Sequence, residues 1–295
     1  MKKILLIIWI ISFGFISSIA HQLSELDRSK ELGKNDELIN SRANSKPNIV
    51  FLLVDELAWS DVGYNCNALY GSPNVDQFAK EDVGFDHDYA ASPVCPPSLT
   101  SILIGKNPGS IDLTDFLPGR REFLFQQLNN ADINSHLPFE EIALAEDLKE
   151  HGYRTGMHDK WHLGEDSSGP LEHGFDVHVP TDWDLDWTKT GFFYPFKMDG
   201  LEGVEGDYHT IVLTDEALKF IKKNKYSAFF LYSSLFAVHD PIEVPQDLVE
   251  KYEQRLIEQE SQDRLPYILD GNPDAHNPRS GEEFNAFLYE EEYRG

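Results

Sequence analysis

The sequence predicts an α/β fold, a mainly parallel sheet flanked by helices, and three observations carry that prediction. Ile49 to Val54 and Ala228 to Ser233 are apolar runs without polar alternation, the pattern of strands buried on both faces. Strand-like and helix-like segments alternate along most of the 295 residues, as they do where helices cross over a parallel sheet. Finally, the residues able to do chemistry fall just past the strand ends, where ligands bind in such sheets.

Taken in order, the chain opens on Lys2-Lys3, an apolar run from Ile4 to Ile16 and the small residues Ser18-Ile19-Ala20. This order of charge, short apolar core and small residues predicts a signal peptide over 1–20 and an exported mature protein, periplasmic or secreted. The run is shorter than the roughly 20 apolar residues of a spanning helix, so no stable membrane insertion is expected. Residues 21–46 are polar and charged and read as a flexible lead-in.

The strand Ile49–Val54 ends on the acidic pair Asp55-Glu56. Ser72-Pro73-Asn74, with Val75, Phe78 and Ala79 at helical spacing, predicts a short helix, and Val83 to Tyr89 reads as a strand. Residues 107–138 are rich in Pro, Gly, Asn and Asp and read as a surface excursion. Glu140 to His151 reads as an amphipathic helix with Ile142, Leu144, Ala145 and Leu148 on one side, stopped by Gly152. Tyr153 to His158 follows as a strand. The segment 165–208 holds Trp183, Trp187, Phe192, Phe193, Tyr194 and Phe196 without regular period, suiting either a sugar-stacking surface or a loop packed on its own domain. A helix over His209–Asn224, the second buried strand and a charged helix over Pro245–Gln259 complete the pattern.

The balance of 51 acidic against 25 basic residues, net −26, excludes nucleic acid as a partner, because phosphate binding needs clustered Lys and Arg. It would also repel a densely sulfated polyanion unless the cleft were locally basic. Two cysteines cannot form a dense disulfide scaffold. Cys95 precedes Pro96-Pro97 and the apolar run Ser98 to Ile104, closed by Gly105, which predicts a helix starting at the cysteine. Such a helix end attracts anions. Local sequence leaves open for Cys95 a buried structural thiol, a bridge to Cys66, or a side chain facing an anion docked on that helix end.

The stretch Cys95-Pro96-Pro97-Ser98-Leu99 resembles the sulfatase signature Cys-x-Pro-Ser-Arg, with Leu99 at the arginine position. Pro47 to Asp55, Ser72 to Asp76, Lys160-Trp161-His162-Leu163-Gly164, His173-Gly174-Phe175-Asp176 and Ala237-Val238-His239-Asp240-Pro241 are similar to that family's segments and follow in its order. The chain thus resembles the N-terminal part of a formylglycine-dependent arylsulfatase-type sulfatase of the alkaline-phosphatase-like superfamily, apparently truncated at the C-terminus. The resemblance implies a sulfatase N-terminal α/β domain over 47–260 and an irregular acidic segment over 261–295.

It implies further that Cys95 is oxidised to formylglycine by a formylglycine-generating or sulfatase-maturing enzyme and becomes the attacking group. Lys160 would hold sulfate oxygens, His162 would help expel sulfate, and His239 would protonate the leaving oxygen. Asp55, Glu56 and one oxygen at position 95 would hold Ca2+ or Mg2+, with Glu56 standing where the family has a second aspartate. The family completes its metal site with an Asp-Asn pair after a later strand, which this sequence does not reach. The substrate implied is a sulfated small molecule or carbohydrate. Two alternatives stay open: a catalytically inactive sulfated-glycan-binding pseudo-sulfatase, and a phosphoester hydrolase of the same superfamily, which would normally carry Ser or Thr at position 95.

Overall fold

The computed structural model describes residues 4–8, 46–123, 125–180, 191–196, 198, 200–239 and 242–259. Contacts divide the chain into Met1–Val249 and Glu250–Gly295; of the second unit only 250–259 is described, all of it within one helix, Gln246–Gln259. The expected lead-in over 21–46, apart from its last residue, the acidic segment 261–295, Trp183 and Trp187 lie outside the described residues.

The first unit is built on five parallel strands: β1 (Ile4–Ile8), β2 (Asn48–Val54), β3 (Arg154–Asp159), β4 (Val177–Val179) and β5 (Phe229–Leu235). Their spatial order is β1-β2-β5-β3-β4. β2 and β5 are inner strands and carry the apolar runs read from the sequence; every residue of β5 is buried. Among the described residues the α-helices are α1 (Pro73–Glu81), α2 (Cys95–Ile104), α3 (Leu144–Glu150), α4 (His209–Asn224) and α5 (Gln246–Gln259).

Alternating side chains on the strands build two cores. Phe51 and Leu53 of β2, Phe230 and Tyr232 of β5 and Met157 of β3 pack with Leu99 and Leu103 of α2 and Ala145 of α3. On the other face, Val50, Phe229 and Leu231 meet Ala217, Phe220 and Ile221 of α4. Gly156 on β3 leaves the space that the Phe220 ring fills, since a Cβ there would come within 2.6 Å of it.

β1 pairs with the outer side of β2, from Ile4 opposite Asn48 to Ile8 opposite Leu52. It is drawn from the apolar run read above as an export signal, and removal of residues 1–20 would return β2 to the sheet edge.

Three expectations are corrected, and one strand adds to those read from the sequence. Residues 83–89 form no strand; Val83, Phe85 and Tyr89 are exposed, because Asp86, Asp88 and Gly84 break the run and no strand among the described residues pairs with it. The helix expected from Glu140 begins at Leu144, where the Glu146 side chain accepts from the Ala143 N–H, so Ile142 is solvent-exposed and only Ala145 is fully buried. The excursion over 107–138 is pinned by the buried Leu113, Leu117 and Leu137. The three-residue strand β4, too short to leave a period, was not foreseen.

The motif His173–Asp176 is structural. Phe175 lies in the core; Asp176 accepts from the Thr155 N–H and pairs with Lys149 and Arg154; and Gly174, at φ +89°, lets the Glu146 backbone approach where a Cβ would stand 2.4 Å away.

Burial also makes the fold acid-sensitive. His158, His162 and His209 are held neutral by desolvation, each lowered from 6.5 to about 4. Below pH 6.5 the unfolded chain takes up three protons that the fold refuses, so stability present above 6.5 is lost as pH falls toward 4. His173 is lowered in the same direction, while Asp159, pushed up by complete burial, works in the opposite sense. Stability is therefore expected to fall with pH, each of the three imidazoles lowered to about 4 contributing up to about 1.4 kcal/mol per pH unit. Urea midpoints between pH 7 and 4 check this; a flat profile would contradict it.

Candidate active site

The chemistry-bearing side chains gather where β2, β5 and β3 end side by side. β2 runs into Asp55, whose N–H donates to the Leu235 carbonyl at 3.2 Å, and β3 runs into Lys160, whose N–H donates to Ser234 at 2.8 Å. Both residues leave the sheet next to β5 and turn into one pocket. There the Lys160 ammonium, 1% exposed, forms an ion pair with Asp55 Oδ2.

Cys95 enters from α2. Pro96 and Pro97 fit the first turn, where N–H groups have no intrahelical acceptor, and leave the Cys95 N–H as its only donor before Ser98. Ser98 fixes the approach to the helix: its hydroxyl donates to the Ser92 carbonyl at 2.6 Å and accepts the Ser92 N–H at 3.2 Å. The thiol of Cys95 donates to Asp55 Oδ2 at 3.7 Å. Burial pushes this thiol up, Lys160 pulls it down and Asp55 pushes it up again. The net rise keeps it protonated near neutrality, a poor nucleophile as it stands. Cys66 is exposed and free, so the Cys66–Cys95 bridge left open by the sequence is not formed.

His239 follows β5 on a turn held by three hydrogen bonds from its backbone N–H groups. The Phe236 N–H donates to Asp159 Oδ2 at 2.9 Å, the Val238 N–H to the Asp55 carbonyl at 3.0 Å and the His239 N–H to the Phe236 carbonyl at 2.9 Å. The imidazole Nε2 lies 3.3 Å from Glu56 Oε1. Glu56 (φ +60°), Asp159 (+77°) and His162 (+54°) all adopt left-handed backbone, strain concentrated around one pocket.

His162 takes a different partner. Its Nε2 sits 3.3 Å from the Leu117 carbonyl, which accepts only from an N–H and so assigns the proton to Nε2. Nδ1, buried and without a hydrogen bond among the described residues, then carries the lone pair. Burial first, then the Lys160 charge, hold this ring neutral.

The donor set suits a divalent cation. One ligand atom each from Asp55, Cys95 and His239 lies within 4.8 Å of the others, and the Glu56 carboxylate adjoins His239. Carboxylate oxygens are what hard cations take, and Asp55 already holds a positive charge, that of Lys160.

Five of the six residues expected from the sequence are linked by these distances; His162 is tied to the Leu117 loop. Two residues not foreseen, Asp159 and Phe236, frame the pocket. Asp159 directly precedes Lys160, but nothing in a sequence marks a carboxyl that bonds a backbone N–H 77 residues away.

A parallel sheet with these groups beyond its carboxyl ends matches the sulfatase family model over residues 47–289. The chain belongs to the sulfatase family. It is 34% identical over 233 residues to mouse N-acetylgalactosamine-6-sulfatase, covering 70% of this chain and 42% of that protein. With mouse arylsulfatase G it shares 32% over 236 residues, covering 76% and 40%. The crystal structure of Ps i-CgsB superposes with a TM-score of 0.57 at 28% identity, covering 71% of this chain and 49% of that one. The chain thus spans about two-fifths of the length of the curated relatives it matches.

Proposed function

We propose that this chain carries the catalytic pocket of an exported sulfuric ester hydrolase acting on sulfated carbohydrate. The observation that carries the reading is the convergence of Asp55, Cys95, Lys160 and His239, from four separate segments, on one half-buried pocket. The relatives named for N-acetylgalactosamine-6-sulfate and aryl sulfates, and the Ps i-CgsB structure solved with neocarrahexaose, favour a sulfated sugar. Residues 1–20 are the proposed export signal; among the described residues, no helix is long and apolar enough to cross a membrane.

Asp55, Glu56 and residue 95 would hold a divalent cation, calcium or magnesium, with His239 at its margin. When bound, the cation supplies Lewis-acid polarisation, and formylglycine at position 95, installed by a maturing enzyme, supplies a hydroxyl nucleophile in place of the inert thiol.

Lys160 places a compact ammonium where a sulfate oxygen docks, and its burial strengthens that attraction. His239, oriented by Glu56, is placed to give a proton to the leaving ester oxygen. His162 offers a proton acceptor at Nδ1, because Leu117 engages Nε2. The burial of Lys160 and of its chain neighbour Trp161 keeps bulk water from one side of the pocket.

The test is release of inorganic sulfate from sulfated galactose and galactosamine oligosaccharides by chain co-produced with a maturing enzyme. Time-dependent, cation-dependent release is expected. Saturable binding without release would favour a glycan-binding protein, and release of phosphate from matched phosphate esters with none of sulfate would favour a phosphoester hydrolase.

A further inference from the structure

Among the described residues, Asp159 is the one fully buried carboxyl beside the pocket that the proposed chemistry does not use. Its position is costly in two ways: its side chain is 1% exposed, and its backbone sits at φ +77°, where glycine would be at ease. Its Oδ2 accepts the Phe236 N–H at 2.9 Å. Its Oδ1 makes no hydrogen bond among the described residues and lies 3.8 Å from Nε2 of His209, likewise buried. Burial raises the acid and lowers the imidazole, so both groups are pushed toward their uncharged forms.

Phe236 stands at a junction. The Lys160 ammonium lies 5.7 Å from its ring centroid, and its carbonyl accepts the N–H of His239. The turn from Phe236 to His239 is otherwise fastened to the strand ends through Val238 N–H and the Asp55 carbonyl. The Asp159 carboxyl therefore secures the start of the turn and the Asp55 backbone its middle, with the imidazole on its last residue. Asp159 also directly precedes Lys160, so one residue joins the segment bearing the ammonium to the segment bearing the imidazole.

We infer that Asp159 is a positioning residue: by accepting the Phe236 N–H it sets the turn that presents His239 to the leaving group. This rests on the reading of the pocket as a sulfate-ester hydrolase, and it separates two kinds of ester. A misplaced proton donor matters when the leaving group is a sugar or alkyl alkoxide and matters little for a nitrophenolate. General loss of structure lowers both rates together.

Asp159→Gly removes the acceptor and suits the left-handed backbone; Asp159→Asn keeps an acceptor of the same reach. In Asp159→Gly, kcat on a sugar or alkyl sulfate is expected to fall about tenfold or more and on nitrophenyl sulfate by less than about threefold, with KM little changed. Asp159→Asn should recover most of that loss. Equal losses on the two esters, no loss on either, or no recovery with Asn would overturn the inference.

A second readout needs no turnover. In 1H–15N spectra the His239 ring and the Phe236 and Val238 amides should shift and broaden in Asp159→Gly and return toward the wild-type positions in Asp159→Asn. If wild-type protein hydrolyses neither ester, the functional reading fails and these spectra alone decide the role of Asp159. Should Asp159→Gly not fold, amide exchange in the wild-type chain decides it: a protected Phe236 N–H is expected, and one that exchanges freely would overturn the role.

Discussion

Lys160→Met is expected to cost about 3 kcal/mol of stability, because it leaves the half-buried Asp55 carboxylate facing a methyl group instead of an ammonium. The aliphatic length is kept, so packing is disturbed little and the loss reports the charge. The expected effect depends on divalent cation. A cation bound at Asp55 replaces the missing positive charge, so calcium or magnesium should raise the urea midpoint of Lys160→Met more than that of wild type, by mass action on the folded state. Sulfate-ester turnover should fall on the order of 100-fold or more, since a buried charge aimed at an oxyanion is lost. Unchanged stability, or an identical cation response in the two proteins, would show that the ion pair does not hold Asp55.

Cys95→Ala is expected to remove sulfate-ester hydrolysis altogether, a loss on the order of 1,000-fold or more, while leaving the fold intact. The side chain is half-buried at the first turn of α2, and alanine suits a helix, so thermal midpoints should move little. Sugar affinity should survive, because Lys160 and His239 remain. Cys95→Ser separates nucleophile from modification: serine keeps a hydroxyl but is not a substrate for conversion to the aldehyde from a thiol. Turnover retained in Cys95→Ala would remove residue 95 from the reaction.

The sequence made much of this legible, for identifiable reasons. β2 and β5 announce themselves because a strand covered on both faces needs unbroken apolar residues, and α4 because eight of its residues are buried at helical spacing. The start of α2 is readable from Pro96-Pro97 and its end from Gly105, which adopts φ +68°. The pocket is readable because Asp55, Lys160 and His239 each lie within a few residues of a strand end, and parallel strands bring those ends together.

What sequence concealed are interactions that depend on distance in space. Residues 83–89 have strand-like composition, but among the described residues no strand pairs with them. Leu99 reads as a gap in a signature, whereas in the fold it is 5% exposed and packs with Phe51 and Leu103 below Cys95. His162 sits in the same motif as Lys160, yet its ring meets Leu117 on a loop 45 residues earlier. Asp159 shows the same limit most clearly, since its partner is a backbone N–H and leaves no mark of its own in the chain.

The central claim is that residue 95 is the reacting group of this pocket once its sulfur has been replaced by an aldehyde oxygen. Intact-mass and peptide-mass measurement of the segment bearing Cys95, on protein from its native host with and without an aldehyde-selective hydrazine, tests it directly. A formylglycine-containing peptide that gains the hydrazine label is expected. A peptide carrying only the unmodified thiol, with no labelled fraction, would contradict it.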